Sequence, residues 1–60
     1  MIRSVIIEDE KNSAERLRLL LERDYFAEVE VLAWLKSMDE AVTFLIGHEV
    51  DLVFLDVEIQ

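Results

Sequence analysis

The chain has no cysteine, so neither a disulfide framework nor a thiolate metal site can staple it together. It has no proline and a single glycine, and it contains no repeat or low-complexity stretch that would read as a linker. Basic residues are scarce: six Lys and Arg stand against fourteen Asp and Glu, a formal charge of −8. That balance argues against binding a phosphate backbone and favours cations or basic partners. Long apolar runs are missing as well. Near the N-terminus only Val5, Ile6 and Ile7 run together before the acids begin, which fits neither a signal peptide nor a membrane span. A soluble cytoplasmic protein without a membrane partner is the expectation.

Apolar residues are plentiful, at 53%, which argues for folding and against disorder. Sixty residues make one small domain at most, and a chain of that size buries only about 60% of its unfolded surface.

Along the chain, strand and helix patterns alternate. "SVII", Ser4 to Ile7, is short, β-branched and continuous, as a strand covered on both faces would be. From Asn12 to Arg23 the period changes. Ala14, Leu17, Leu20 and Leu21 share a helical stripe, and Glu15, Arg16, Arg18, Glu22 and Arg23 take the other faces. Asn12 with Glu15 has the spacing of a weak capping box. "VEVLAW" opens with alternation and then sets Leu32 beside Ala33, as a strand near an edge would. Ser37 and Glu40 have capping-box spacing ahead of Ala41, Val42, Phe44, Leu45 and Ile46, and Gly47 stands where a left-handed C-cap belongs. "DLVFLD" then reads as a second fully buried strand. The expected elements are strands near 4–7, 29–33 and 51–55 and helices near 12–23 and 38–46. Strands alternating with helices imply an α/β fold with parallel pairing and right-handed crossovers.

In such sheets the ligand site lies beyond the carboxyl ends of the strands. Both continuous apolar strands end in acid: Glu8, Asp9 and Glu10 after the first, Asp56 after the third. If these strands are neighbours, Glu8, Asp9 and Asp56 converge on one rim. Carboxylates so close repel, and a divalent cation relieves that repulsion. A donor set of oxygen alone, with neither His nor Cys, suits Mg2+. A carboxylate neutralised in this way can attack a phosphoryl group. Acids after strands are also common as solvated rim carboxylates, and spacing alone leaves both readings open.

"SVIIEDE", followed by an amphipathic helix and later by "DLVFLDVEI", resembles the receiver domain of two-component response regulators, most closely the receivers of LytTR-type transcriptional regulators. The resemblance covers residues 1–60 as the N-terminal β-α-β-α-β part of such a domain. It implies a flavodoxin-like sheet of three parallel strands in the order 2-1-3 with two helices. It further implies that Asp56 is the phosphoacceptor, that Asp9 ligates Mg2+ directly, and that Glu8 acts through water or by orienting it. Glu58 would contribute its backbone carbonyl. The phosphoryl donor would be a sensor histidine kinase, which the first helix helps to dock. Glu8 replaces a frequent aspartate, and Gln60 replaces a frequent proline. The hydroxyl residue after a fourth strand, the lysine after a fifth and the DNA-binding output domain of the family lie outside these residues, so nucleic acid is not an expected partner here and a long-lived aspartyl phosphate is not expected.

The resemblance implies a signalling switch rather than a turnover enzyme. The alternative is a receiver-like interaction module without phosphotransfer. A hydrolase using the same aspartate fits less well, because Asp56-Val57-Glu58 lacks the usual second aspartate. Among the remaining residues, His48 reads as a surface loop histidine and Trp34 as edge packing. Glu10 reads as an acid favourable to the helix dipole rather than a ligand. Tyr25 and Phe26 are expected to close the first helix against the sheet. Leu52 to Leu55, lacking a neighbour on the far side, are expected to mediate homo-oligomer formation through the third strand and the uncovered sheet face.

Overall fold

The computed structural model describes residues 1–55, in the order β1 (Ile2–Ile7), α1 (Lys11–Asp24), β2 (Val29–Leu35), α2 (Met38–Gly47) and β3 (Leu52–Leu55). The three strands form one parallel sheet in the order β2-β1-β3, the arrangement of the first three strands of a flavodoxin-like fold. β1 is central, and its β-branched run is enclosed on both faces. Val5, Ile6 and Ile7 are at most 3% exposed.

Alternation along β1 divides the core in two. Ile6 packs with Ala14 and Leu21 of α1, and Leu17, Val31, Trp34 and Phe54 complete that layer. Val5 and Ile7 pack with Leu35 and with Ala41 of α2, joined by Leu32, Ala33, Phe44 and Val50. The helices meet the sheet at Ala14 and Ala41, where a small side chain lets the backbones approach.

β2 carries the irregularity hinted at by Leu32 beside Ala33. Ser4 pairs with Val31 but Val5 pairs with Ala33, so Leu32 is an extra residue in the ladder, a β-bulge. Beside it the buried Ser4 hydroxyl donates to the Glu30 carbonyl at 2.9 Å, which satisfies the one buried polar side chain among the described residues.

Several local expectations are corrected. α1 begins at Lys11, one residue before Asn12, with Glu10 as an extended N-cap that makes no side-chain cap bond. The Asn12–Glu15 capping box is therefore not formed. At α2 the Ser37 hydroxyl accepts from the Glu40 amide at 3.2 Å, as expected, but the Glu40 carboxylate accepts from the Lys36 amide rather than that of Ser37. Gly47 is the last helical residue and has no positive φ; the helix ends on His48 in extended conformation. The His48 ring takes over the capping: it stacks on Phe44 at 3.9 Å, with Nδ1 2.9 Å from the Phe44 carbonyl. Tyr25 and Phe26 do not close α1 against the sheet, being 49% and 71% exposed. The Glu28 and Val29 amides both donate to the Tyr25 carbonyl, and this tight reversal leaves the two rings at the periphery. Leu20 is likewise exposed rather than part of the buried stripe. β3 is not fully buried, because both helices pack over β1 and β2 and leave the outer strand partly open.

Candidate functional site

The parallel order sets the ends of β1 and β3 side by side, with Ile7 and Leu55 as the last register partners. Next to them lies an open cleft of about 450 Å³ lined by Ile6, Ile7, Glu8, Ser13, Ala14, Leu17, Phe54 and Leu55. Its floor is apolar and its rim is the acidic turn between β1 and α1, the position at which α/β sheets bind ligands.

Three contacts fix that turn. The Glu8 amide donates to the Leu35 carbonyl at 2.9 Å. The Trp34 indole N–H donates to the Glu8 carbonyl at 2.7 Å. The Glu8 carboxylate in turn accepts from the Glu10 amide at 3.2 Å. Glu8 is thus half-buried and held through both backbone groups, whereas Asp9 is exposed and takes part in no hydrogen bond or ion pair among the described residues. Glu10 occupies the N-cap of α1, and its carboxylate accepts from the Ser13 hydroxyl at 2.7 Å. That placement agrees with an acid stabilised by the helix dipole.

Glu8 and Asp9 therefore lie at the expected rim. Asp56 and Glu58 lie outside the described residues. Among the described residues, no three His, Cys, Asp or Glu side chains are grouped closely enough to hold a metal ion. The donors at the rim are hard oxygens, which suit Mg2+ in kind.

The roles of Trp34 and Ser13 were not legible beforehand. Trp34 packs at the edge as expected, against the layer of Ile6, Ala14 and Leu21, and the Lys36 ammonium stands 5.2 Å from its ring centroid. Its hydrogen bond targets a backbone carbonyl, which leaves no mark in a sequence; the available signal was a polar-edged aromatic ending the strand beside β1.

The shifted titrations lie away from this rim. At the start of β3 the Asp51 carboxylate accepts from the Arg3 amide at 2.9 Å and from Arg3 Nε at 3.4 Å. The amide bond first, then the guanidinium, hold the Asp51 carboxyl below the usual carboxylate range. Arg3 also reaches Glu49 at 3.2 Å, and these carboxylates raise its own pKa. On α1, Arg18 pairs with both Glu15 and Glu22.

No helix among the described residues is long and apolar enough to cross a membrane. No family model, curated protein or solved structure matches the chain.

Proposed function

We propose that the chain is the N-terminal part of a phosphoacceptor receiver of the two-component type, with Asp56 receiving a phosphoryl group from the phosphohistidine of a sensor kinase. The observation that carries this reading is the pairing of Ile7 with Leu55 in a parallel sheet. The residues that follow these partners in sequence are Glu8 and Asp56, and Asp9 comes next.

In the proposed reaction an Asp56 carboxylate oxygen attacks phosphorus. The new P–O bond forms as the P–N bond to the donor imidazole breaks, and the imidazole leaves with the electron pair and takes up a proton. Glu8 and Asp9, with Asp56 and the Glu58 carbonyl, would hold Mg2+. The ion supplies neutralisation of the charge that gathers between carboxylate and phosphoryl oxygens. Trp34 and Leu35 hold Glu8 through its backbone, and its carboxylate accepts from the Glu10 amide.

A second reading, an interaction module without phosphotransfer, draws on the outer face of α2. Met38, Val42, Leu45 and Ile46 repeat at helical spacing there and are 37–82% exposed. Phosphoimidazole with Mg2+ and hydroxylamine separates the two. Hydroxylamine converts even a short-lived acyl phosphate into a stable hydroxamate, so mass spectrometry should find that product at Asp56, dependent on Mg2+ and absent from Asp56→Asn. No hydroxamate at Asp56 overturns the phosphoacceptor reading.

A further inference from the structure

Between α2 and β2 lies an open groove of about 520 Å³, lined by Leu35, Asp39, Glu40, Thr43, Phe44 and His48. Its walls are mainly apolar: Leu35 at the end of β2, and the stacked rings of Phe44 and His48. Its polar rim consists chiefly of acceptors. The Asp39 and Glu40 carboxylates stand at one end, in the first turn of α2. At the other end the bond to the Phe44 carbonyl requires the proton on Nδ1 of His48, so Nε2 of the neutral ring is an acceptor as well.

Among the described residues, no base meets the charge of this rim. Glu40 accepts from the Lys36 amide at 3.1 Å, but the Lys36 ammonium stands over the ring of Trp34, which packs in the layer on the other side of the sheet. Lys11, Arg16, Arg18 and Arg23 belong to α1, on that other side as well. Arg3, the remaining base, is bonded to Glu49 and Asp51. Asp39 and Glu40 join no ion pair among the described residues.

We propose that this groove is the docking site for an arginine-bearing segment of a partner protein, with a guanidinium at Asp39 and Glu40 and an apolar neighbour laid on Leu35 and Phe44. The proposal uses neither Asp56 nor the acidic turn and is independent of the phosphotransfer reading.

The chemistry of the groove selects this occupant. A guanidinium carries only donors, the complement of a rim of acceptors, and its plane stacks on aromatic rings. From Glu40 to Gly47 the helix rises about 10 Å, the reach of about three residues of extended chain. A second copy fits poorly, because each copy carries a charge of −8. The place in the fold also suits a partner protein. In the flavodoxin-like order 2-1-3-4-5, β2 is an end strand, so strands beyond β3 add on the far side of the sheet from this groove.

Amide shift mapping with a capped peptide of alternating arginine and leucine tests this, beside the same peptide with citrulline for arginine, which keeps the shape and loses the charge. Shifts should gather at Leu35, at Asp39 to Phe44 and at His48. They should weaken as salt is raised and be absent with the citrulline peptide. Asp39→Asn combined with Glu40→Gln keeps an acceptor for the Lys36 amide and should weaken binding about tenfold. Thr43→Lys sets an ammonium in the groove and should weaken it as much. Val42→Lys makes the same change of charge about 100° round the helix and should leave binding intact. If Thr43→Lys does not fold by circular dichroism, the Asp39 and Glu40 double variant is compared with Val42→Lys instead. Shifts centred on the acidic turn or on α1, or equal loss in Val42→Lys, overturn the proposal. So do equal binding of the citrulline peptide and groove shifts that grow with protein concentration alone.

Discussion

The indole N–H of Trp34, on β2, and the carbonyl of Glu8, just beyond β1, are joined at 2.7 Å. The bond fixes the acidic turn from the neighbouring strand. Trp34→Phe keeps an aromatic ring in the layer but removes the donor. It should lower stability by about 1–2 kcal/mol and shift the Glu8 to Glu10 amide resonances. Urea unfolding followed by circular dichroism, with amide spectra, checks both, and an unchanged turn would show that the bond does not position it.

Mg2+ should perturb the Glu8 and Asp9 amides and, through the Glu8 carbonyl, the fluorescence of Trp34. Asp9→Asn combined with Asp56→Asn should abolish the response. Binding that survives in the double variant would place the cation elsewhere on this acidic chain.

Asp51 is held below the usual carboxylate range by the Arg3 amide and guanidinium. A group whose folded pKa is depressed adds stability at pH values above its unfolded value, about 3.9 for aspartate, and loses it as pH falls through the lower folded value. Asp51→Asn should therefore lower stability at neutral pH and flatten the acid limb of the stability–pH curve, leaving the slope between neutral and mildly basic pH unchanged. Asp24 is lowered in the same way by Arg23 and contributes in the same direction. Chemical denaturation across the acid range measures the slope.

The two ends of α2 should respond with opposite sign. Ser37→Ala removes the acceptor for the Glu40 amide and should cost about 1 kcal/mol. Gly47 has ordinary helical geometry, and a Cβ there would meet nothing within 4 Å. Gly47→Ala should therefore stabilise the domain by about 0.5–1 kcal/mol. A loss on Gly47→Ala would mean that the glycine serves the turn into β3 after all.

The element order was legible because three short apolar runs and two stripes of helical period leave few alternatives in sixty residues. Strand order came from the family resemblance, and the sheet agrees with it. Burial was less legible. A run such as Leu52 to Leu55 reads the same whether it is enclosed or at an edge, because local pattern cannot show which strands the helices cover. Helix ends were misplaced where a backbone-to-side-chain contact decided them, as at Glu10 and His48. At the candidate site, the positions of Glu8 and Asp9 follow from strand direction. The support from Trp34 does not, since it depends on which face of β2 the tryptophan occupies.

Leu32 decides that face. Without the bulge, simple alternation from Val29 and Val31 through Leu32 would carry Ala33 and Leu35, not Trp34, onto the α1 side. The bulge acts as a phase shift of half a period, which takes one residue of strand length out of the alternation before Trp34. Substituting Leu32 leaves the phase intact, and deleting it restores regular pairing with Trp34 still opposite Ile6; straightening the bulge with Leu32 in place would swing the indole through the sheet and away from Glu8. The anchoring of the acids thus depends on a residue that faces neither of them being taken up as a bulge and not as a regular step of the strand.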